Sequence, residues 1–342
     1  MAKLNIRKHK SFIQQVFKND LKFLKESEFE PRKRVQHIAW PSECMVQLGT
    51  MPVGECRRAM FYKILGVAQT EPMSLRGRNI CDAGIMYEEQ RIAKFKKLGV
   101  FDSEQVRIGY ELPNTKNKVV ISGRMDCVIK YDGVKQGIEI KSVSAWKAPA
   151  TMGDQRTTPL PAENNLMQAM LYKYYLSEVE EGKALEIDDV YLMYVNRSDN
   201  STFYYKIVLD AQGYAILTAI DEAGKELYTL ETQSVLSFDE LLARPGTNAT
   251  SEEARLASIR ISIYDIFSKF DLAYDYAVNE MLPPCDYTMI YNPNEIEREF
   301  KLGRMSKVKH NKAKKGEPYG DKKCEYCSFK TKCMGDSGIT LS

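Results

Sequence analysis

The chain has 342 residues, enough for one large domain or two modest ones with an ordinary core. Hydrophobic residues make up 44% and charged residues 28%, and the net charge of +3 excludes a chain that binds nucleic acid through overall charge, so any basic surface is local. No segment has the apolar run that spans a membrane, and the basic N-terminus lacks the apolar stretch of a signal peptide. The expected location is cytoplasmic. The eight cysteines are then buried thiols and metal ligands rather than disulfides.

In chain order, residues 3–28 place Phe12, Val16, Phe23 and Leu24 at helical spacing. A turn-rich stretch follows around Pro31 and Pro41, with Ser42 placed to cap a short helix. Residues 56–65 and 80–98 read as helices, the second stopped by Gly99. Segments 106–112, 119–122, 125–131 and 137–143 read as strands, with Asp132-Gly133 as the hairpin turn between the last two. Residues 145–163 read as a loop, 164–177 as a helix, 190–196 and 203–209 as an antiparallel pair, and 211–281 as mostly helical. Residues 301–323 are basic and turn-rich, and the C-terminal end is rich in cysteine.

One constellation points to chemistry. Alternation along 137–143 puts Glu139 and Lys141 on one face of a strand and Ile138 and Ile140 on the other. The Asp132-Gly133 hairpin returns Asp126 beside that strand. Two carboxylates and an amine then meet at one sheet edge, a set that suits phosphodiester hydrolysis with Mg²⁺ or Mn²⁺. Lys141 can orient or deprotonate water, and the Ile140 carbonyl is a further possible metal ligand. Glu-x-Lys alone is also a common surface ion pair. Gln168 and Tyr172, four residues apart on one helical face, can hold a phosphate or the attacking water, or simply pack.

The order helix-Glu88, strand-Asp126, strand-Glu139-x-Lys141, helix-Gln168-x-x-x-Tyr172 resembles the RecB-type branch of the PD-(D/E)xK nucleases, over residues 80–176. The resemblance implies an α/β fold with a restriction-endonuclease-like core, a short mixed sheet flanked by helices. It implies that Asp126 and Glu139 bind the catalytic metal, that Lys141 acts in catalysis, and that Gln168 and Tyr172 support the site. Many RecB-type members have His where this chain has Glu88. Phage lambda-type exonucleases have Glu there, which makes Glu88 a further metal ligand, with Glu89 as the alternative register. Met125 stands where the superfamily name has Pro.

Cys324, Cys327 and Cys333 form a C-x2-C-x5-C set suited to a tetrahedral sulfur site, zinc or iron–sulfur. The segment beginning Cys56-Arg57-Arg58 is similar to the first cysteine segment of iron–sulfur RecB-type exonucleases, a group that includes CRISPR-associated exonucleases and the nuclease region of AddB. That resemblance implies a [4Fe–4S] cluster on Cys56, Cys324, Cys327 and Cys333, with Zn²⁺ as the alternative metal and Cys44 as the alternative fourth ligand. Cys81, Cys127 and Cys285 have no partner spacing and read as small buried hydrophobes. His9, His37 and His310 show no metal-ligand spacing.

The expected organisation is an N-terminal helical segment (1–40), a nuclease core (41–210), a helical insertion (211–300) and a basic, cysteine-rich subdomain (301–342) closed by Cys56. Lys307, Lys309, Lys312, Lys314 and Lys315 can follow a phosphate backbone, with Tyr319 and Tyr326 stacking on bases. Arg57, Arg58, Arg76 and Arg78 are further candidates. The resemblance implies exonuclease activity on single-stranded DNA ends in recombination, repair or phage DNA processing. A non-catalytic DNA-binding or assembly module, or a structure-specific endonuclease, is the rival. No G-x-x-x-x-G-K-[ST] loop is present, so unwinding would need a helicase or another recombination or replication protein.

Overall fold

Chain order sets runs of strands between helices and ends in a wholly helical region. The computed structural model describes residues 38–338 except 72, 155 and 156. The helix expected at 3–28, His9 and His37 lie outside the described residues. β1 (Ile38–Ala39) leads into a 3-10 turn (Pro41–Glu43), which contains Ser42 rather than being capped by it. β2 (Met45–Leu48) and β3 (Met51–Gly54) pair as a small hairpin, and α1 (Arg57–Ile64) follows with Cys56 at its N-cap.

α2 (Leu75–Leu98) starts ahead of the predicted boundary because the Ser74 side chain accepts the Gly77 amide at 3.1 Å, satisfying a first-turn donor. Gly99 ends it at φ 71°, in the left-handed region that glycine reaches without strain. β4 (Phe101–Glu111), β5 (Val120–Tyr131) and β6 (Val134–Val143) follow. β5 runs unbroken through Gly123 and Arg124, because both stay in the ladder with β4. Asp132 and Gly133 turn the β5–β6 hairpin at φ 48° and 85°, positive at both central residues as the tight turn requires.

The expected loop at 145–163 includes a short helix, α3 (Ala148–Met152). α4 (Glu163–Glu178) and α5 (Glu180–Lys183) then cross over to β7 (Asp189–Asn196), which lies parallel to β6. β8 (Thr202–Leu209), β9 (Ala215–Ile220) and β10 (Glu226–Glu231) continue antiparallel. The main sheet therefore has eight strands and is mixed: β1–β5 and β6–β7 pair parallel, the others antiparallel. This corrects the helical reading of the segment after residue 210, whose first part extends the sheet. β9 alternates buried and half-buried positions, and the edge of β8 satisfies its backbone.

The rest is helical: α6 (Phe238–Ala243), α7 (Ser251–Ser258), α8 (Ile263–Val278), α9 (Pro293–Lys301), α10 (Lys307–Ala313), α11 (Lys322–Glu325) and α12 (Lys330–Asp336). Both faces of the sheet are covered. Ile138 and Ile140 of β6 pack with Ile92 and Phe95 of α2 and with Met193 and Val195 of β7. Leu192 and Tyr194 belong instead to the larger core with Leu166, Met167 and Met170 of α4. Each such buried aliphatic contributes about 1.5–3 kcal/mol. Among the described residues, no helix is long and apolar enough to cross a membrane.

Candidate functional site

The site is set by a fork in the sheet. One edge of β5 pairs with β4 from Val120 to Ile129. The other edge pairs with β6 only from Cys127 to Tyr131, and with β1 at Val120 and Ile121. Residues 122–126 face the gap between those two partners. Alternation would put Met125 and Cys127 on one face. Instead Met125 and Val128 lie in the core that holds α4, and Cys127 lies in the core that holds α2. The strand thus changes phase at Asp126, where β6 departs. The Asp126 carboxylate fills the opening and accepts the Ile140 amide at 2.7 Å. Ile140 is expected to offer its carbonyl to a metal, but the contact seen at that residue runs through its N–H.

Glu139 is 1% exposed. Its Oε1 accepts from Lys141 Nζ at 2.5 Å, while Oε2 is buried without a hydrogen-bond partner. Burial pushes its carboxyl up to about 8, against the pull of Lys141. Burial also raises Asp126, again opposed by Lys141. Glu88 projects from α2 and accepts from Gln105 Nε2 at 2.9 Å. Burial, and then the charge of Asp126, push it up to about 7. Burial alone would lower Lys141, but Glu139, Asp126 and Glu88 outweigh it and hold the ammonium above the usual lysine range. Glu89, the alternative register, is exposed.

These four groups form one network with three acids and one base. Two carboxyls raised to about 7 and 8, chiefly by burial, mark a desolvated acidic site. An unpaired buried carboxylate oxygen is costly unless a cation or donor meets it. Asp126, Glu139 and Glu88 are hard oxygen donors and fit Mg²⁺ or Mn²⁺. Among the described residues, no three His, Cys, Asp or Glu side chains stand at the spacing of a bound ion.

Gln168 and Tyr172 come together on α4. Gln168 Nε2 donates to Tyr172 Oη at 2.8 Å, and Tyr172 Oη donates to the Arg124 carbonyl at 2.9 Å. The phenol therefore braces β5 two residues before Asp126. Gly123 is required here: a Cβ would meet Pro41 Cγ at 2.7 Å. Trp40, Pro41, Arg124, Gln168 and Tyr172 line a cavity of about 360 Å³ at the fork.

A second cavity, about 730 Å³, is rimmed by Cys56, Cys285, Cys324, Cys327 and Cys333. The two ends of the described chain meet around it. Arg58 Nη1 donates to Ser337 Oγ at 2.6 Å, Tyr62 Oη to Asp336 at 2.7 Å, and the Thr70 amide to the Ser328 carbonyl at 2.9 Å. Cys285 is exposed and 3.4 Å from Cys333, which corrects its reading as a buried hydrophobe. The hydrogen bond with Cys285, and then Arg58, lower the Cys333 thiol below the usual cysteine range. Five soft donors of this kind fit iron–sulfur or zinc. Cys44 sits in the main core with its S–H on the Pro41 carbonyl at 2.8 Å, so the alternative fourth ligand is corrected. Cys127 is buried as expected, and Cys81 is exposed instead.

The basic candidates divide. Arg57 directs its amide and Nη2 to Asp286, each at 2.6 Å. Arg58 is buried, with Nε on the Pro283 carbonyl at 2.8 Å. Arg57 is tied to Asp286, Arg58 to Pro283 and Ser337, and both are corrected as phosphate contacts. In α10 and after it, Lys312 pairs with Glu317 at 3.4 Å, Lys314 with Glu297 at 2.8 Å, and Tyr319 Oη donates to Glu317 at 2.6 Å. Lys307, Lys309 and Lys315 are exposed and form no ion pair among the described residues. His310 is buried and stacked on Phe300 at 3.9 Å, a packing residue.

No family model matches the chain, and no curated protein does. Among solved structures, the crystal structure of SSO0001 is similar at 17% identity, over 54% of this chain and 73% of that one. The TM-score is 0.32.

Proposed function

We propose that this chain is a metal-dependent DNA nuclease of the PD-(D/E)xK class, acting on single-stranded ends. The observation that supports it is the fork: Asp126, Glu139 and Lys141 converge where β5 and β6 part, and one buried Glu139 oxygen lacks a partner. Asp126, Glu139 and Glu88 would hold Mg²⁺ or Mn²⁺. The bound ion supplies an activated water and offsets charge on the phosphate. Lys141 supplies a fixed positive charge beside the reacting phosphate and a donor for the attacking water. Tyr172 and Gln168 hold β5 so that Asp126 keeps its aim. The restriction-endonuclease-like core belongs to this proposal.

The cysteine cavity is the proposed seat of a [4Fe–4S] cluster on Cys56, Cys324, Cys327 and Cys333, with zinc as the alternative and Cys285 as an added thiol. It would fasten residues 56–71 to the C-terminal subdomain. DNA is the proposed ligand, and a helicase or other recombination or replication protein the proposed partner.

The test is cleavage of end-labelled linear and circular single strands in Mn²⁺. The wild type should degrade the linear strand and leave the circle whole, and Asp126→Ala and Lys141→Ala should each lose roughly a hundredfold or more. Cut circles would make the protein an endonuclease. DNA binding with no cleavage by the wild type would make it a non-catalytic assembly module.

A further inference from the structure

The cysteine cavity has an outer rim of a different character. Arg76 at the start of α2, Lys147 after β6, and Lys322 and Lys323 of α11 all border it. None of the four forms an ion pair among the described residues, in contrast to Lys312 and Lys314. The one acid on the rim, Glu55, is held by Lys63 at 2.9 Å. Two large aromatics stand there in solvent, Trp146 at 76% and Tyr326 at 79% exposure. The Lys147 ammonium lies 5.2 Å from the Trp146 ring centre.

Two elements tie this rim to the fork. Trp146 follows Lys141 by five residues, so the chain keeps them within about 18 Å. Arg76 and Glu88 share α2, whose rise separates them by about 18 Å. Cations outside ion pairs, of which Lys323 alone is drawn toward the charge of Glu55, and bare aromatic faces, a short reach from a phosphodiester-cleaving site, match the chemistry of an unpaired strand. Lysine and arginine meet phosphates, and Trp146 and Tyr326 offer faces for unstacked bases. A duplex would keep those bases stacked and gain less.

We infer that this rim is the entry cleft for single-stranded DNA, with Trp146 as its stacking platform and Arg76, Lys147, Lys322 and Lys323 as its phosphate contacts. The inference rests on the nuclease reading and names the path of its substrate. It also moves the main nucleic-acid surface away from α10, where Glu297 and Glu317 neutralise part of the charge.

The experiment measures binding of a fluorescent oligothymidylate to the full chain by anisotropy in EDTA, where no cleavage interferes. Trp146→Ala should weaken binding about tenfold or more. The Lys322→Ala/Lys323→Ala double variant should weaken it and lower the slope of log affinity against log salt by roughly 1.4. Lys309→Ala, on α10, should change it little. Unchanged affinity in the first two, or a larger loss in Lys309→Ala, overturns the cleft. Retention displaced by polyglutamate but not by unlabelled oligothymidylate would assign the rim to an acidic protein and also overturn it. Cleavage in Mn²⁺ is read in parallel. A wild type that cleaves but binds through other residues defeats the cleft alone, and one that neither binds nor cleaves defeats the nuclease reading as well.

Discussion

Asp126 Oδ2 accepts the Ile140 amide at 2.7 Å, across the point where their two strands separate. A side chain thus replaces a rung of the ladder. The β5–β6 pairing ends at Cys127 and Ile138, and, two residues on, the Ile140 amide of β6 is satisfied by a carboxylate instead of by β5. The carboxylate is thereby fixed beside Glu139 and Lys141.

The buried acids make apo stability depend on pH. Glu139 is raised from 4.5 to about 8, and Glu88 from 4.5 to about 7. The folded state therefore binds their protons more tightly than the unfolded chain does. Stability is fully present below about 4.5 and is lost as pH rises through about 7 and about 8. Lys141, held above its usual range, keeps its contribution across that window. Glu139→Gln should be more stable than the metal-free wild type at pH 9, by on the order of a few kcal/mol. Melting in EDTA from pH 5 to 9 checks this, and equal slopes for the two proteins would contradict it.

Tyr172→Phe removes the donor to the Arg124 carbonyl and the acceptor for Gln168. The expected cost is about 1–3 kcal/mol in urea denaturation. Cleavage should fall further than that loss of folded protein explains, because the brace sits two residues from Asp126. A variant with wild-type kcat would remove Tyr172 from the positioning role.

Arg57→Ala separates the two readings of that arginine. Asp286 has a side chain 4% exposed and would lose the Arg57 Nη2 contact at 2.6 Å, keeping the residue 57 amide and Lys269 at 3.9 Å. Stability should drop by about 3 kcal/mol, while oligothymidylate affinity of the folded fraction stays at the wild-type value. Lost affinity with unchanged melting would restore Arg57 as a DNA contact.

The thiol cavity predicts a metal on the purified chain. Anaerobic preparations should be brown and contain iron and acid-labile sulfide, and stoichiometric zinc in colourless protein would retire the cluster. Cys324→Ala and Cys56→Ala should lose the metal and lower Tm, since the metal and the fold of the chain ends are coupled. Cys285→Ala should keep it. The reverse behaviour of Cys56 and Cys285 would make Cys285 the fourth ligand.

Much of the fork is legible in the sequence. Asp132-Gly133 fixes the hairpin and alternation sets the faces of β6. The i, i+4 spacing of Gln168 and Tyr172 gives their contact. What escapes depends on distant partners. Ala215–Ile220 contains good helix formers, and it is a strand because β8 offers it an open edge. Cys285 lacks any local spacing to Cys324, and only the folding of the chain ends brings it to Cys333. Arg57 and Arg58 look like surface charge until Asp286, Pro283 and Ser337 arrive from far along the chain. The phase change at Asp126 has no local mark either, because Met125 and Cys127 are both apolar and only packing assigns them to opposite cores.

The most direct measurement is Mn²⁺ binding to the chain, read from the loss of the free-ion EPR signal. The account predicts that the wild type takes up the ion and that Asp126→Asn and Glu139→Gln each weaken it about tenfold or more, while Lys309→Ala does not. Equal Mn²⁺ uptake by the wild type and by both carboxylate variants would contradict a metal site at the fork.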